Sequence, residues 1–301
     1  MTGIRKKLIT KKAVRKHIFI YAMMAVAIVH FAVFFLYVNI NSFLMPFQNA
    51  DGMWTLDNIK LVLSNLSMGA QSEIVKNLKN TLIYYAVGIM TQFPLSFFFA
   101  YCLYRKVLGY KIFNVIFMIP MMVSTVVLVA VYKNLLSAGG PVSVLWERVF
   151  GKQAPFFLYD ERTATASIVV YVIWTSFGLN LIIYAGAMSR IPPELWEQSR
   201  LDGVGFMRGM TTLAFPLIWP TFSIMLLLSA GGILSGDGPI LLFSGGMYGT
   251  STLGYWMYEN VVLKRLYNYA SALGVFMTLV SLPVFLLVVH IRKRLPDDIQ
   301  Y

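Results

Sequence analysis

The chain has 301 residues, of which 58% are hydrophobic and only 13% charged, with a mean hydropathy of +0.68 and a net charge of +12. That apolar share lies beyond an ordinary globular domain and excludes a pair of soluble domains, the first expectation for this length. A single cysteine, Cys102, excludes an intrachain disulfide and a thiolate metal centre.

Six stretches contain no Asp, Glu, Lys or Arg: Ile18–Ala50, Asn80–Tyr104, Ile112–Tyr132, Thr163–Ser189, Gly209–Gly236 and Leu266–Ile291. At this charge content a given 25-residue window is charge-free by chance about 3% of the time, so six need a physical cause. Each can supply the ~20 apolar residues that cross ~30 Å of hydrocarbon, where a charge costs ~2.5–3.5 kcal/mol. The sequence predicts an all-α polytopic membrane protein with six transmembrane helices.

The first span follows a basic cluster, Arg5, Lys6, Lys7, Lys11, Lys12, Arg15 and Lys16. Its apolar run is too long for a signal-peptide core, and Asn39-Ile40-Asn41-Ser42-Phe43 shows no small-x-small cleavage site, so an uncleaved span is expected. The outer segment Asn41–Lys76 carries polar turn formers around Ile59–Leu63, where a small helix fits. Span two ends at a tight basic hairpin, Arg105–Lys111. After span three, Ala138-Gly139-Gly140-Pro141 stops a helix within the outer segment Lys133–Arg162. Beyond span five, Asp237–Arg265 mixes glycines with aromatics; it is too irregular to face lipid at membrane depth and belongs outside, or inside protein.

The charge is distributed by side. Alternate connecting segments, beginning with the N-terminal tail, hold sixteen basic against five acidic residues, whereas the others hold nine against eight. The positive-inside rule makes the first set cytoplasmic, with both termini inside, and makes the basic tail a topology signal rather than a nucleic-acid arm. No nucleic-acid partner is expected; the partner of this surface is the lipid bilayer.

Catalytic chemistry is not visible. Gly151-Lys152 is followed by Gln153 and lacks phosphate-loop spacing, and neither H-E-x-x-H nor G-x-S-x-G occurs. His17, His30 and His290 have no second ligand at helical spacing, so no metal site is predicted. No charge-free run supplies the intramembrane carboxylate on which an ion-driven transporter usually depends. The expectation is a non-enzymatic transporter whose energy comes from a partner; the alternative is a secondary transporter or channel not driven by ATP.

The longest interior loop, 190–210, is where such a partner could act. In Ile191-Pro192-Pro193-Glu194-Leu195-Trp196-Glu197-Gln198-Ser199-Arg200-Leu201-Asp202-Gly203-Val204, prolines open a helix, acids occupy its first turns and Gly203 is placed for a left-handed stop. Two turns are too short to stand alone and need a second surface. Leu195, Trp196 and Leu201 form no single stripe, which argues against simple membrane docking.

This loop resembles the cytoplasmic signature of binding-protein-dependent ABC importer permeases, I-P-x-E-L-x-E-A-A-x-x-D-G-A followed by L-P-x-x-x-P. It matches at Ile191, Pro192, Glu194, Leu195, Glu197, Asp202, Gly203, Pro216 and Pro220, and departs at Gln198 and Ser199 for two alanines, at Val204 and at Phe215. Asn80-Thr81-Leu82, Pro94-Leu95, Pro120 and Tyr269-Ala270-Ser271-Ala272 extend the resemblance to sugar permeases over about Asn77–Ile291.

The resemblance implies an ABC importer type-1 transmembrane fold in the cell membrane of a bacterium. It divides the chain into residues 1–76 (basic tail, first helix, outer loop), 77–291 (a five-helix transmembrane domain) and a tail, 292–301. It further implies a carbohydrate importer of two permeases, two ABC ATPase subunits and an extracytoplasmic solute-binding protein. Length and basic tail resemble the first permease of such importers, so a distinct second permease, hence a heterodimer, is expected, with a homodimer the alternative. ATP is used by the ATPase subunits, and this chain binds no cofactor. The coupling residues would be Pro192, Glu194, Leu195, Glu197, Gln198, Ser199, Asp202, Gly203 and Pro216. For the substrate path, span four offers Tyr171, Trp174, Thr175 and Asn180, the first three on one helical face; ordinary helix packing accounts for them equally well.

Overall fold

The computed structural model describes residues 11–234 and 238–293. Arg5, Lys6 and Lys7 of the basic cluster, the end of span five at Gly236 and the tail from Arg294 lie outside the described residues. Among the described residues the secondary structure is helical, apart from an isolated bridge between Gln48 and Trp54.

The helices run α1 Lys11–Phe31, α2 Val38–Leu44, α3 Asp57–Ser67, α4 Glu73–Tyr104, α5 Tyr110–Met122, α6 Thr125–Leu136, α7 Pro141–Phe150, α8 Ala164–Met188, α9 Pro193–Leu201, α10 Phe206–Gly209, α11 Phe215–Ala230, α12 Ile240–Phe243, α13 Leu253–Tyr258 and α14 Tyr267–Lys293. Among the described residues, six continuous or jointed stretches are long and apolar enough to cross a membrane: Phe19–Phe47, Glu73–Tyr104, Thr125–Phe150, Ala164–Met188, Phe206–Ala230 and Tyr267–Lys293. Short π-helical turns, 32–37 between α1 and α2 and 210–214 between α10 and α11, keep two of them unbroken.

The third span differs from expectation. Ile112–Tyr132 is not one helix: α5 ends at Met122, Val123 is extended, and α6 starts after Ser124, so the third long apolar stretch is Thr125–Phe150. Pro120 weakens the last turn of α5, and Ser124 leads into the β-branched run Thr125-Val126-Val127, so a break here is locally favoured. Gly140 is required by close approach, because a Cβ there would sit 2.5 Å from the Asn134 carbonyl oxygen; Pro141 then starts α7.

The chain forms two compact units. The first joins the residues up to Val62 with Tyr267–Val275. Its turn at Gln48-Asn49 is held by amides: Asn58 Nδ2 donates to the Gln48 carbonyl at 2.8 Å, and Asn268 Nδ2 donates to Gln48 and Asn49 carbonyls at 2.8 and 2.9 Å. The helix expected near Ile59–Leu63 is α3.

The second unit, Leu63–Leu266 with the rest of α14, carries two buried clusters. One joins α4, α8, α9 and α11 through residues such as Phe97, Tyr101, Tyr184, Trp196 and Ile218. The other joins α4, α6, α8 and α12 through Tyr84, Leu128, Ile168, Tyr171 and Phe243. Against this second cluster the irregular stretch 238–265 is packed inside protein, with Ile240, Phe243, Leu253 and Trp256 buried.

Its backbone is satisfied from α4: Asn80 Nδ2 donates to the carbonyls of Gly249 and Ser251 at 2.7 and 2.8 Å, and Thr81 Oγ1 accepts from the Leu253 amide at 2.9 Å. Gly246, at φ +76°, lies flat under the Tyr255 ring, where a Cβ would overlap ring carbons. Burial, with a smaller contribution from Glu259, pushes the Tyr255 hydroxyl above its ordinary range, so that it stays a neutral phenol.

Candidate functional site

The loop after α8 folds into a capped two-turn helix. Pro192 takes the extended N-cap conformation and Pro193 the first helical position, where a missing N–H costs nothing. At the other end Gly203, at φ +69°, donates to the Arg200 carbonyl at 3.1 Å while the Val204 amide donates to the Ser199 carbonyl at 3.0 Å. This pair of bonds is the Schellman stop, and it turns the chain back toward α10. No atom lies within 4 Å of where a Gly203 Cβ would be, so backbone conformation alone asks for glycine there.

The buried side chain that anchors α9 is Trp196, with Leu195 packed against the same core. Trp196, 6% exposed, packs 6.1 Å from the Tyr101 ring and 5.6 Å from Tyr104, and the Arg105 guanidinium lies 5.1 Å from its centroid. Tyr101 also stacks at 4.8 Å on Phe206 and donates its hydroxyl to the Phe206 carbonyl at 3.1 Å. The C-terminal end of α4, the helix α9 and the start of the fifth span therefore meet at one aromatic joint. Gly209 completes it, since a Cβ there would stand 3.0 Å from the Tyr101 hydroxyl.

From this joint a column of rings continues between α4, α8 and α11: Phe97 contacts Phe215 at 5.5 Å, Phe93 contacts Phe222 at 5.7 Å, and Tyr184 stacks on Phe222 at 5.6 Å. Pro216 sits in the first turn of α11, just after the π-helical turn 210–214, and Pro220 lies inside the helix. The other side of α9 is bare. Glu194, Glu197, Gln198, Asp202 and Gly203 are exposed, Leu201 is 89% exposed, and Leu195 and Ser199 are partly covered.

A second feature lies beyond the ring column. A cavity of about 340 Å³ opens between Tyr84, Tyr85, Gly88 and Gln92 of α4, Val172 of α8, Ser229 of α11 and Gly238. Tyr85 hydrogen-bonds Ser229, Gln92 Nε2 donates to the Ser176 carbonyl at 3.1 Å, and the buried Tyr84 hydroxyl has no partner. Gly238 must be small, because a Cβ would meet Val172 at 2.8 Å.

The span-four candidates are elsewhere. Tyr171, 2% exposed, packs against Phe243 at 4.9 Å and Tyr132 at 5.2 Å; Trp174 stacks on Tyr132; Thr175 donates its hydroxyl to the Tyr171 carbonyl; and Asn180 is buried farther along α8. Tyr171 and Trp174 are brought together at 6.0 Å, Asn180 is not, and none of the four lines the cavity. Sequence reasoning passed over the α4 face. Its signal was available: Tyr85, Gly88 and Gln92 recur at helical spacing inside a charge-free run. Among the described residues no cluster of His, Cys, Asp and Glu could hold a metal ion.

Comparison with known proteins decides the family. The family described as "Binding-protein-dependent transport system inner membrane component" matches residues 92–296. The chain belongs to this family. Its relatives include the polygalacturonan/rhamnogalacturonan transport system permease protein YteP of Bacillus subtilis, 26% identical over 226 residues, which are 73% of this chain and 70% of the relative. Another is the arabinooligosaccharides transport system permease protein AraP of the same organism, 25% identical over 276 residues, 89% of this chain and 86% of the relative. A crystal structure of a bacterial ABC transporter involved in the import of the acidic polysaccharide alginate superposes at a TM-score of 0.81 with 24% identity, over 94% of this chain and 98% of that one. A second crystal structure holds the alginate transporter with a periplasmic protein bound to an alginate pentasaccharide, at the same TM-score. The six-span permease fold of these importers is thus the fold of this chain, a multi-pass membrane component of a binding-protein-dependent transport system.

Proposed function

We propose that this chain is a permease subunit of an ATP-driven ABC importer for a sugar or oligosaccharide in a bacterial cell membrane. It forms the translocation path with a second, related permease in a heterodimer, receives substrate from an extracytoplasmic solute-binding protein and takes its stroke from ATPase subunits. Both termini and the loop 190–210 face the cytoplasm. Residues 77–291 make the transporting domain, and ATP is bound and used by the partner alone. The names of the relatives support a carbohydrate cargo, and the alginate complex supports the binding protein.

The observation that carries this reading is the two-sided construction of α9. One face is locked through Trp196 to α4 and to the fifth span, and the other presents Glu194, Glu197, Gln198 and Leu201 to solvent. A push on the exposed face cannot be absorbed locally, because densely packed cores pass displacement on instead of deforming. It reaches the ring column and so the helices that flank the cavity. Tyr85, Gln92 and Ser229 there offer the hydroxyl and amide groups that uncharged sugar hydroxyls require, and the aromatic rings offer apolar faces to sugar C–H groups. Tyr171, Trp174, Thr175 and Asn180 support the walls of this path from α8.

Reconstitution tests the reading. The chain purified alone should hydrolyse no ATP and accumulate no solute, whereas with its ATPase, second permease and binding protein it should drive ATP-dependent uptake. Glu197→Lys, which reverses charge on the exposed face without touching Trp196, should abolish uptake while membrane expression persists. Gradient-driven accumulation by the chain alone would mean a secondary transporter or channel and would refute the proposal.

A further inference from the structure

Beside α9 lies a groove of about 340 Å³ that the coupling role does not account for. Arg105 and Lys106 from the hairpin between α4 and α5 and Arg200 from α9 line it, together with Tyr104, Trp196 and one acid, Glu197. Three cations thus face one carboxylate, and among the described residues none of the four makes an ion pair. Lys106 is held there in a left-handed conformation, φ +52°, by the tight turn in which its amide donates to the Leu103 carbonyl at 3.0 Å. Like charges gathered along one groove describe half of a contact whose other half is an anion.

We propose that this groove receives an acidic side chain of the ATPase partner, so that the ATPase grips the hairpin 105–111 together with α9. The inference rests on the proposed function and adds to it a second handle. Charge pattern selects the occupant. A phosphate or lipid headgroup would meet Glu197 on the groove wall, whereas a protein surface can offer an acid to the three cations and a base to Glu197. The neighbouring Leu201, 89% exposed on the same helix, adds an apolar knob of the kind that protein interfaces bury and that solvent does not favour. The mechanical result is specific. Arg105 already lies over Trp196, so an acid seated between Lys106 and Arg200 ties the turn joining α4 and α5 to the turn joining α8 and α10. The stroke then moves four helices as one body.

Carbodiimide cross-linking of the purified importer tests this, because it joins a lysine amine to a carboxylate only in direct contact. Lys106 should be recovered coupled to an Asp or Glu of the ATPase subunit, and Lys111, on the same hairpin but not lining the groove, should not. Lys106→Glu with Arg200→Glu should weaken ATPase association at least tenfold and flatten its dependence on salt, with Lys111→Glu as the charge control. Equal thermal unfolding of the variants, measured on the permease without ATPase, guards against simple misfolding. If the wild-type complex holds its ATPase but Lys106 is not cross-linked and the double reversal binds normally, this inference fails and the proposed function stands. Native mass spectrometry that finds a phosphate or an anionic lipid released by the double reversal would also overturn it. If no ATPase associates with the wild-type protein at all, the proposed function itself falls.

Discussion

The joint at α9 and the cavity between α4, α8 and α11 share α4 and the fifth span, yet they are packed in opposite ways. At the joint every ring has neighbours: Trp196, Tyr101, Tyr104 and Phe206 interlock, and a Cβ at Gly209 would press on the Tyr101 hydroxyl at 3.0 Å. At the cavity Gly88 does the reverse. Gly88 has no atom within 4 Å of a would-be Cβ, and polar groups of Tyr84, Tyr85, Gln92 and Ser229 surround unfilled volume. Dense packing suits a part that must transmit displacement, and loose polar packing suits a part through which a hydrated molecule passes. On the proposed function, the contrast separates lever from passage within one unit of the fold.

The largest expected effect comes from breaking the lever. Trp196→Ala removes a buried indole and its Arg105 contact; truncations of this kind cost ~3–5 kcal/mol. Thermal unfolding of the purified permease should begin markedly earlier, and coupled uptake should disappear even at temperatures where the protein stays folded. Trp196→Phe keeps a ring in the joint and should retain most of the uptake. Normal transport by the alanine variant would show that α9 is held by something other than this side chain.

How much of this was legible in the sequence depends on the range of the interaction. The absence of charge marks lipid depth residue by residue, so the number of spans followed directly. The same signal is silent on helix continuity, and so Ile112–Tyr132 was read as one helix when Val123 and Ser124 divide it. The caps of α9 are local, written in Pro192, Pro193 and Gly203, and these were legible too. Its anchor was not, because Trp196 is held by Tyr101, Tyr104 and Arg105, more than ninety positions away and on another span. Similarly, the polar face Tyr85–Gly88–Gln92 repeats visibly along α4, but only Val172, Ser229 and Gly238, all distant in sequence, turn that face into a cavity.

A smaller change at the stop of α9 sharpens the contrast from the lever side. Gly203→Ala places a side chain in a left-handed conformation, at a cost of ~1–2 kcal/mol, with no steric overlap. The bonds from Gly203 and Val204 to Arg200 and Ser199 would loosen, and the exposed face of α9 would lose its fixed direction. ATP hydrolysis by the assembled importer should continue while uptake per ATP falls several-fold. Unchanged uptake per ATP would mean that the turn at Gly203 serves only to connect helices.

The smallest effect should come from the passage. Gln92→Ala deletes an amide whose nitrogen is already committed to the Ser176 carbonyl, so what the cavity loses is chiefly an acceptor for a cargo hydroxyl. One neutral hydrogen bond is worth ~0.5–1.5 kcal/mol, which corresponds to roughly a two- to tenfold rise in the substrate concentration for half-maximal uptake. ATPase association and the unfolding of the joint should be unaffected, because neither Trp196 nor its ring neighbours touch Gln92. Tyr85→Phe, which removes the hydroxyl paired with Ser229, should act in the same direction, again without altering coupling. If these two substitutions instead lowered uptake per ATP and left half-saturation alone, the polar face of α4 would belong to the lever, and the division between the two regions would be wrong.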